Sequence, residues 1–355
     1  MDLLRRLSEA PGVPGREEQV RAIVRAELAG LVDELSVDAM GNLTAVKRSG
    51  REGARKVMVA AHMDEIGFLV RHVDDKGFVR VQQLGGFDPR NLFARQVHVH
   101  ASISGETLLG VMNPAGKPIH ISTPEERTKV PTLDQFYVDL GLSGEQVKAK
   151  VRVGDMITLR QQFEDLGDVV TGKALDDRTG CWILIETIKR LQGSDMNSDL
   201  YAVFTTQEEV GLRGAQTGAY AVEPDFGIAL DTTLAVDTPE IGEHLRVTQL
   251  GAGTALKVMD SSIISTRWLL DHFIDLAERH GVRYQLEVLP LGGNDAAALQ
   301  RGRAGAPAFT ISTPSRYVHT VTEMVSKSDL DGAVTLLTAF VREGGPNPNG
   351  GHDRP

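Results

Sequence analysis

Apolar positions recur at helical spacing near the start of the chain. Val20, Ile23, Val24, Leu28 and Leu31 share one face across residues 16–35, REEQVRAIVRAELAGLVDEL, which predicts an amphipathic helix. NLTAVKR then reads as a short strand. KVMVAAH is apolar almost throughout and of strand length, as expected for a strand buried on both faces of a sheet. From Gly180 onward, helical and strand patterns alternate. TGCWILIETIKRLQG (helix), LYAVFTTQ (strand), GAQTGAYA (short helix) and FGIALD (strand) come first; STRWLLDHFIDLAERHG (helix), YQLEVLP (strand), DAAALQRG (helix), PAFTIS (strand) and DLDGAVTLLTAFVRE (helix) follow. This alternation predicts an α/β fold of three layers, a mainly parallel sheet with helices on both faces.

Between Phe68 and Asp165 the texture changes. FVRVQQLGG, QVHVHAS, ETLLGVMNP, FYVDLG and DMITLRQQF are short alternating runs separated by Gly and Pro turns, and only LSGEQVKAKV has a helical pattern. We read residues 69–165 as a small β-rich domain inserted into a catalytic domain formed by 1–68 and 166–343, with 344–355 a flexible Gly-, Pro- and Asn-rich tail.

The net charge of −10 argues against a nucleic-acid partner, which calls for a basic surface. No stretch approaches the ~20 apolar residues of a membrane span, and MDLLRRLSEA lacks the apolar core of a secretory signal. Cys181 is the only cysteine, so an intrachain disulfide is impossible and a reducing, cytoplasmic setting is expected.

Five segments end or follow apolar runs with side chains that can hold a metal. They are AHMDE (His62, Asp64), KALDDR (Asp176), TTQEE (Glu208, Glu209), ALDTT (Asp231) and RYVHT (His319). Four of them sit at the carboxyl ends of predicted strands, where open α/β sheets bind ligands. Imidazole and carboxylate donors suit Zn²⁺, Co²⁺ or Mn²⁺, and the set is too large for one catalytic zinc. Two ions sharing a carboxylate fit the count. His62 and Asp64, two apart in extended backbone, point the same way, so Asp64 can accept the free ring N–H of His62. Glu208 and Glu209 diverge, so one can bind metal while the other acts as a general base.

Each residue alone has a plainer reading. A single buried histidine is commonly hydrogen-bonded core, Asp176 and Asp177 can cap the following helix, and Glu208-Glu209 can be a solvated loop pair. Together these readings fail, because they leave like charges crowded unpaired at one sheet edge. His98 and His100 read as strand residues; His120, in KPIHIS, as a residue that either faces the active site or packs at a subunit contact. His72, His244, His272, His280 and His352 read as surface or helix residues. HExxH, GxSxG and Walker motifs are absent, and GAGTAL lacks the last glycine of GxGxxG.

AHMDEIGFLV, VTGKALDDRTG, TTQEEVGLRGA, ALDTT, GGNDAAAL and TPSRYVHT, in this order, resemble the dinuclear-metal aminopeptidases of the tetrahedral and glutamyl (deblocking) type, over about residues 2–343. The resemblance implies that His62, Asp176 and Asp231 hold one metal and that Asp176, Glu209 and His319 hold the other, with a cis bond after the bridging Asp176. It implies Glu208 as general base and Asp64 as the residue orienting His62. A water shared by the ions would lose its proton to Glu208 and attack the first peptide bond of a short peptide with a free N-terminus. It further implies assembly through the small domain into dimers and dodecamers, for which Phe93, Leu108, Leu109, Val111 and Met112 are candidate contacts.

The sequence departs from the family at Asn294 (commonly Thr), Gly253-Thr254 (Gly-Pro) and His319-Thr320 (His-Ser), which bears on the substrate pocket, with Asn294 and His120 as candidate substrate contacts. No basic residue is placed to pair an acidic first side chain, so neutral or apolar first residues are expected. Two other readings compete. One is a metal carboxypeptidase or N-acyl amidohydrolase of the same clan, whose insert usually comes after the paired glutamates. The other is a non-catalytic assembly protein, for which Glu208 and Asp64 would have no use.

Overall fold

In the computed structural model, residues 1–346 are described. Residues 347–355 of the expected tail, His352 among them, lie outside the described residues. At the centre are parallel strands, with Ser198–Thr205 and Phe226–Leu234 flanking Arg55–His62, and Ala308–Arg316 beyond Phe226–Leu234. Antiparallel strands extend this core on both sides, giving an 11-stranded sheet among the described residues. Burial of Val57 through Ala61 at 0% exposure explains the continuous apolar run.

Alternate residues of that run enter different layers. Val57, Val59 and Ala61 pack with the helices Asp2–Glu9, Glu18–Leu28, Leu175–Arg190, Arg267–Arg279 and Lys327–Glu343. Met58 and Ala60 pack with Arg213–Val222 and Ala296–Arg301 on the opposite face. The three-layer architecture follows from this period-two division of one strand.

Two local expectations need correction. The first amphipathic helix stops at Leu28 rather than running to residue 35. Gly30, at φ +77°, turns the chain, and Glu34–Val37 becomes an edge strand paired with Leu43–Lys47. The inserted region also contains a short helix, Pro124–Thr128, beyond the one at Gly144–Lys148. A capping box between Thr123 and Glu126 starts it, a signal present in TPEE.

The insert closes on itself. Strands Gly67–Val73, Val79–Leu84, Phe136–Asp139, Glu106–Pro114, Arg95–Ala101 and Met156–Leu159 form a closed barrel in that order. Its core gathers Phe68, Val70, Val97, Val99, Met112, Phe136, Val138 and Ile157, separate from the core of the sheet. Because the chain leaves the sheet just after His62 and returns just before Asp176, the barrel stands beside the ends of the parallel strands.

Candidate active site

The parallel register brings distant segments together. His62 pairs with Thr205, two residues before Gln207, and Asp231 pairs with Ser312 on the strand leading toward His319. His62 and Thr205 end their strands, while Asp231 lies three residues short of the carboxyl end of Phe226–Leu234. The structure brings His62, Asp64, Asp176, Glu208, Glu209, Asp231 and His319 into one cluster.

Within it, Asp176 occupies the middle. Its Oδ1 lies 3.2 Å from Nε2 of His62 and its Oδ2 3.4 Å from Nε2 of His319. One donor triad is His62, Asp176 and Asp231, and another is Asp176, Glu209 and His319; in each the donor atoms lie within 4.8 Å of one another. Glu209 Oε1 is 3.4 Å from His319 Nε2, and Glu208 Oε2 is 4.0 Å from His62 Nε2. His62 also forms a close triad with Glu208 and Glu209.

The helix Leu175–Arg190 separates the two neighbouring aspartates. Asp176 and Asp177 have non-helical φ/ψ and are joined by a cis peptide bond. Asp177 Oδ1 accepts the N–H of Gly180 at 2.9 Å, and its Oδ2 accepts that of His62 at 3.3 Å. Asp177 therefore does the helix capping, while Asp176 faces the histidines.

Asp64 lies beside the His62 ring, as its spacing implies, and reaches further partners as well. Nδ1 of His62 is nearest the backbone carbonyl of Asp64, at 3.1 Å, with the carboxylate at 3.6 Å. A proton on Nδ1 satisfies that carbonyl, and Nε2 is the ring nitrogen that faces Asp176. The carboxylate oxygens accept the N–H groups of Glu208 and Glu209 at 3.0 and 3.1 Å. Buried Glu17 accepts the N–H of Gln207 at 3.1 Å, so two carboxylates hold three consecutive amides of this turn. Burial, helped by the charge of Asp64, raises Glu17 to about 7.

Glu323 and Glu17 escaped the sequence reading. Glu323 lies buried in the strand Glu323–Ser326, and its two oxygens accept the N–H groups of His319 and Asp176 at 2.9 and 3.0 Å. In VTEMVS it looks like an exposed loop acid; only the pairing of its strand with Ser315 and Arg316 places it beneath the cluster.

The electrostatics test whether metals fit these donors. Burial drives Glu208, Asp231 and Glu209 above the usual carboxylate range, and neighbouring acids add to the push. Although burial opposes its charge, hydrogen bonds from His319 and His62 hold Asp176 well below that range. His319 is pushed up to about 12: burial works against it, but the charges of Glu209 and Asp176 prevail. The acids gather protons because burial disfavours their charged form and like charges crowd beside them. Oxygen and imidazole donors converging on two points in this way fit two divalent cations, which would displace those protons.

Residues 41–336 match the M42 glutamyl aminopeptidase family. The chain belongs to that family. It is 39% identical to a putative aminopeptidase of Acetivibrio thermocellus over 96% of this chain and 98% of that one. It is 31% identical to the lysyl aminopeptidase of Pyrococcus furiosus over 96% of each. Among solved structures, the Pyrococcus horikoshii TET1 peptidase, which can assemble into a tetrahedron or a large octahedral shell, superposes with a TM-score of 0.86 at 31% identity, over 97% of this chain and 99% of that one. Fold and membership together make the chain a member of a metal-dependent peptidase family, with the barrel as its inserted domain.

A cavity of about 510 Å³ opens in front of the M42 cluster, walled by Leu212, Leu234, Leu289, Leu291 and Val318. Asn294 lines it, but its side chain is committed elsewhere: Nδ2 donates to Asp260 at 2.6 Å, and Oδ1 accepts from Ala296 N and Thr310 Oγ1, both at 2.9 Å. As a candidate substrate contact, Asn294 thus shapes the loop rather than presenting a free amide. His120 lies exposed in the short helix Ile119–Ile121 of the barrel and does not line this cavity. From the barrel, Gly85 and Gly86 do approach the cluster. A Cβ at Gly85 would lie 3.1 Å from Glu209 Oε2, and one at Gly86 3.4 Å from Nδ1 of His319.

Proposed function

We propose that the protein is a dinuclear metallo-aminopeptidase that removes residues from the free N-termini of short peptides. The observation that carries this reading is the division of Asp176, one oxygen toward each histidine, with Glu208 beside the His62 triad. His62, Asp176 and Asp231 would hold one ion, and Asp176, Glu209 and His319 the other. When bound, Zn²⁺, Co²⁺ or Mn²⁺ would acidify a shared water and polarise the scissile carbonyl. Glu208 then takes the proton of the attacking water and passes it to the leaving amine. Burial raises its proton affinity, which favours that exchange. Asp64 and Glu17 hold the Gln207–Glu209 turn so that Glu208 and Glu209 face different partners.

The test compares a short peptide with its N-acetylated form on protein loaded with Zn²⁺, Co²⁺ or Mn²⁺. Release of the first residue from the free amine alone is expected. Equal cleavage of both would transfer the reading to an N-acyl amidohydrolase, and release from the C-terminus to a carboxypeptidase. A fully metal-loaded chain inert toward a broad peptide panel would be an assembly protein.

The barrel surface supports self-assembly into dimers and, from them, dodecamers. Phe93, Leu109 and Val111 are 46%, 52% and 44% exposed, an apolar presence that a contact would cover. Met112, by contrast, is buried in the barrel core and Leu108 packs against it, so those two leave the set of candidate contacts. The mass in solution by light scattering checks this. Among the described residues, no helix is long and apolar enough to cross a membrane. Buried Cys181, whose thiol lies 3.2 Å from the carbonyl of His62, agrees with a reducing cytoplasm.

A further inference from the structure

The cavity contains a basic residue that the pattern of the sequence did not reveal. Lys257, on the strand Thr254–Met259, lines it together with Thr232 and Thr233. Thr233 stands two residues beyond Asp231 on the same strand, roughly 6–7 Å along it, about the reach of one side chain from the metal cluster. A substrate whose amino end lies at the cluster would direct its first side chain here, between the leucines.

The Lys257 ammonium is not free for that side chain. It is ion-paired with Glu287, which is 0% exposed, and lies 3.6 Å from Asp260. Thr233 donates its hydroxyl to the same Glu287 oxygen at 2.5 Å. Asp260 is engaged by Asn294 and by the backbone of Ser262 and Ile263. Among the described residues, no carboxylate outside the cluster lines the cavity. An acidic first residue would have to compete with Glu287 for the one ammonium that lines the cavity among the described residues, and a basic one would find no partner there outside the cluster.

We propose that Glu287, by neutralising Lys257, sets the pocket for neutral first residues and is the specificity-determining residue of this peptidase. The proposal rests on the aminopeptidase reading. It has a direct consequence: Gln at 287 keeps the shape and the acceptor for Thr233 but releases the Lys257 charge toward the cavity.

The experiment measures kcat/KM on glutaminyl- and glutamyl-p-nitroanilide, which differ in charge at nearly constant shape, with leucyl and lysyl substrates beside them. Calorimetric binding of free glutamine, glutamate and leucine gives a readout independent of turnover. The wild type should favour glutaminyl over glutamyl by at least about tenfold, with leucyl among the best. Glu287→Gln should raise the glutamyl-to-glutaminyl ratio by at least about tenfold, and the double variant K257M/E287Q should lose that gain. A folded E287Q whose ratio is unchanged overturns the proposal, as does a wild type that treats the two alike or prefers glutamyl or lysyl. Should E287Q not fold, the wild-type comparison of glutaminyl with glutamyl decides alone. Absence of turnover with neutral amino acids still bound in the expected order would refute the aminopeptidase reading and leave the pocket assignment standing.

Discussion

Adjacent residues of two segments feed two opposite kinds of buried charge. Asp64 and Asp176 join the cluster at the strand ends, where acids outnumber their partners. Glu65, Lys173 and Arg178, from the same stretches of chain, form a group in which the carboxylate has two cations beside it. Lys173 Nζ sits 2.8 and 2.7 Å from the two Glu65 oxygens, and Arg178 lies 3.7 Å from Glu65. Arg178 also donates to the carbonyls of Leu7, Ala10 and Gly12, tying down the N-terminal helix. The paired group holds architecture together through its ion pairs and those backbone carbonyls. The unpaired one is complete only with cations, and that difference separates a scaffold from a site.

Chelation should break the comparison most sharply. Stripping metal should reduce peptidase activity to background and lower the melting temperature, and Zn²⁺, Co²⁺ or Mn²⁺ should restore both. At a hundredfold excess over Kd, each ion would contribute about 2.7 kcal/mol. Next comes Glu208→Gln, expected to lower kcat by about 10²–10⁴-fold with metal content unchanged, read by kinetics and metal analysis. Near wild-type turnover would remove Glu208 as general base.

The two charge groups should then respond in opposite directions. Lys173→Met strands Glu65 without its main partner and should destabilise the chain by about 3–5 kcal/mol in denaturant unfolding. Asp231→Asn in the metal-free protein removes a carboxyl that burial obliges to take up a proton, and should stabilise it by roughly 1 kcal/mol while weakening metal binding. Equal signs for both would erase the distinction. The smallest effect concerns the turn: Glu17→Ala frees the Gln207 amide and should lower kcat about tenfold with KM unchanged, whereas Glu17→Gln, which keeps an acceptor, should stay close to wild type.

Much of this arrangement was legible in the residues themselves. KVMVAAH announced a central strand because both of its faces are covered, and the alternating QVHVHAS announced a half-buried strand of the β-rich insert because only one is. The cluster was visible because its acids end apolar runs, a local signal. What stayed hidden depends on partners far along the chain. Glu17 reads as one acid in a polar helix start, and Glu323 as one in a loop, until the fold turns them beneath Gln207 and Asp176. Lys257 and Glu287 are thirty residues apart on neighbouring parallel strands, and nothing local marks them as a pair. Asp64 falls within the cluster, and its carboxylate faces amides of the Glu208 turn that spacing alone could not locate.

The glycines at 85 and 86 give the barrel a stake in the chemistry. Their lack of a Cβ leaves room for Glu209 and for the ring of His319, which is 34% exposed. A chain shortened by joining Ile66 directly to Val169 would keep every donor of both triads, yet one bank of the second would be missing. The insert is thus part of the vessel in which the reaction takes place, as well as the surface by which copies would meet.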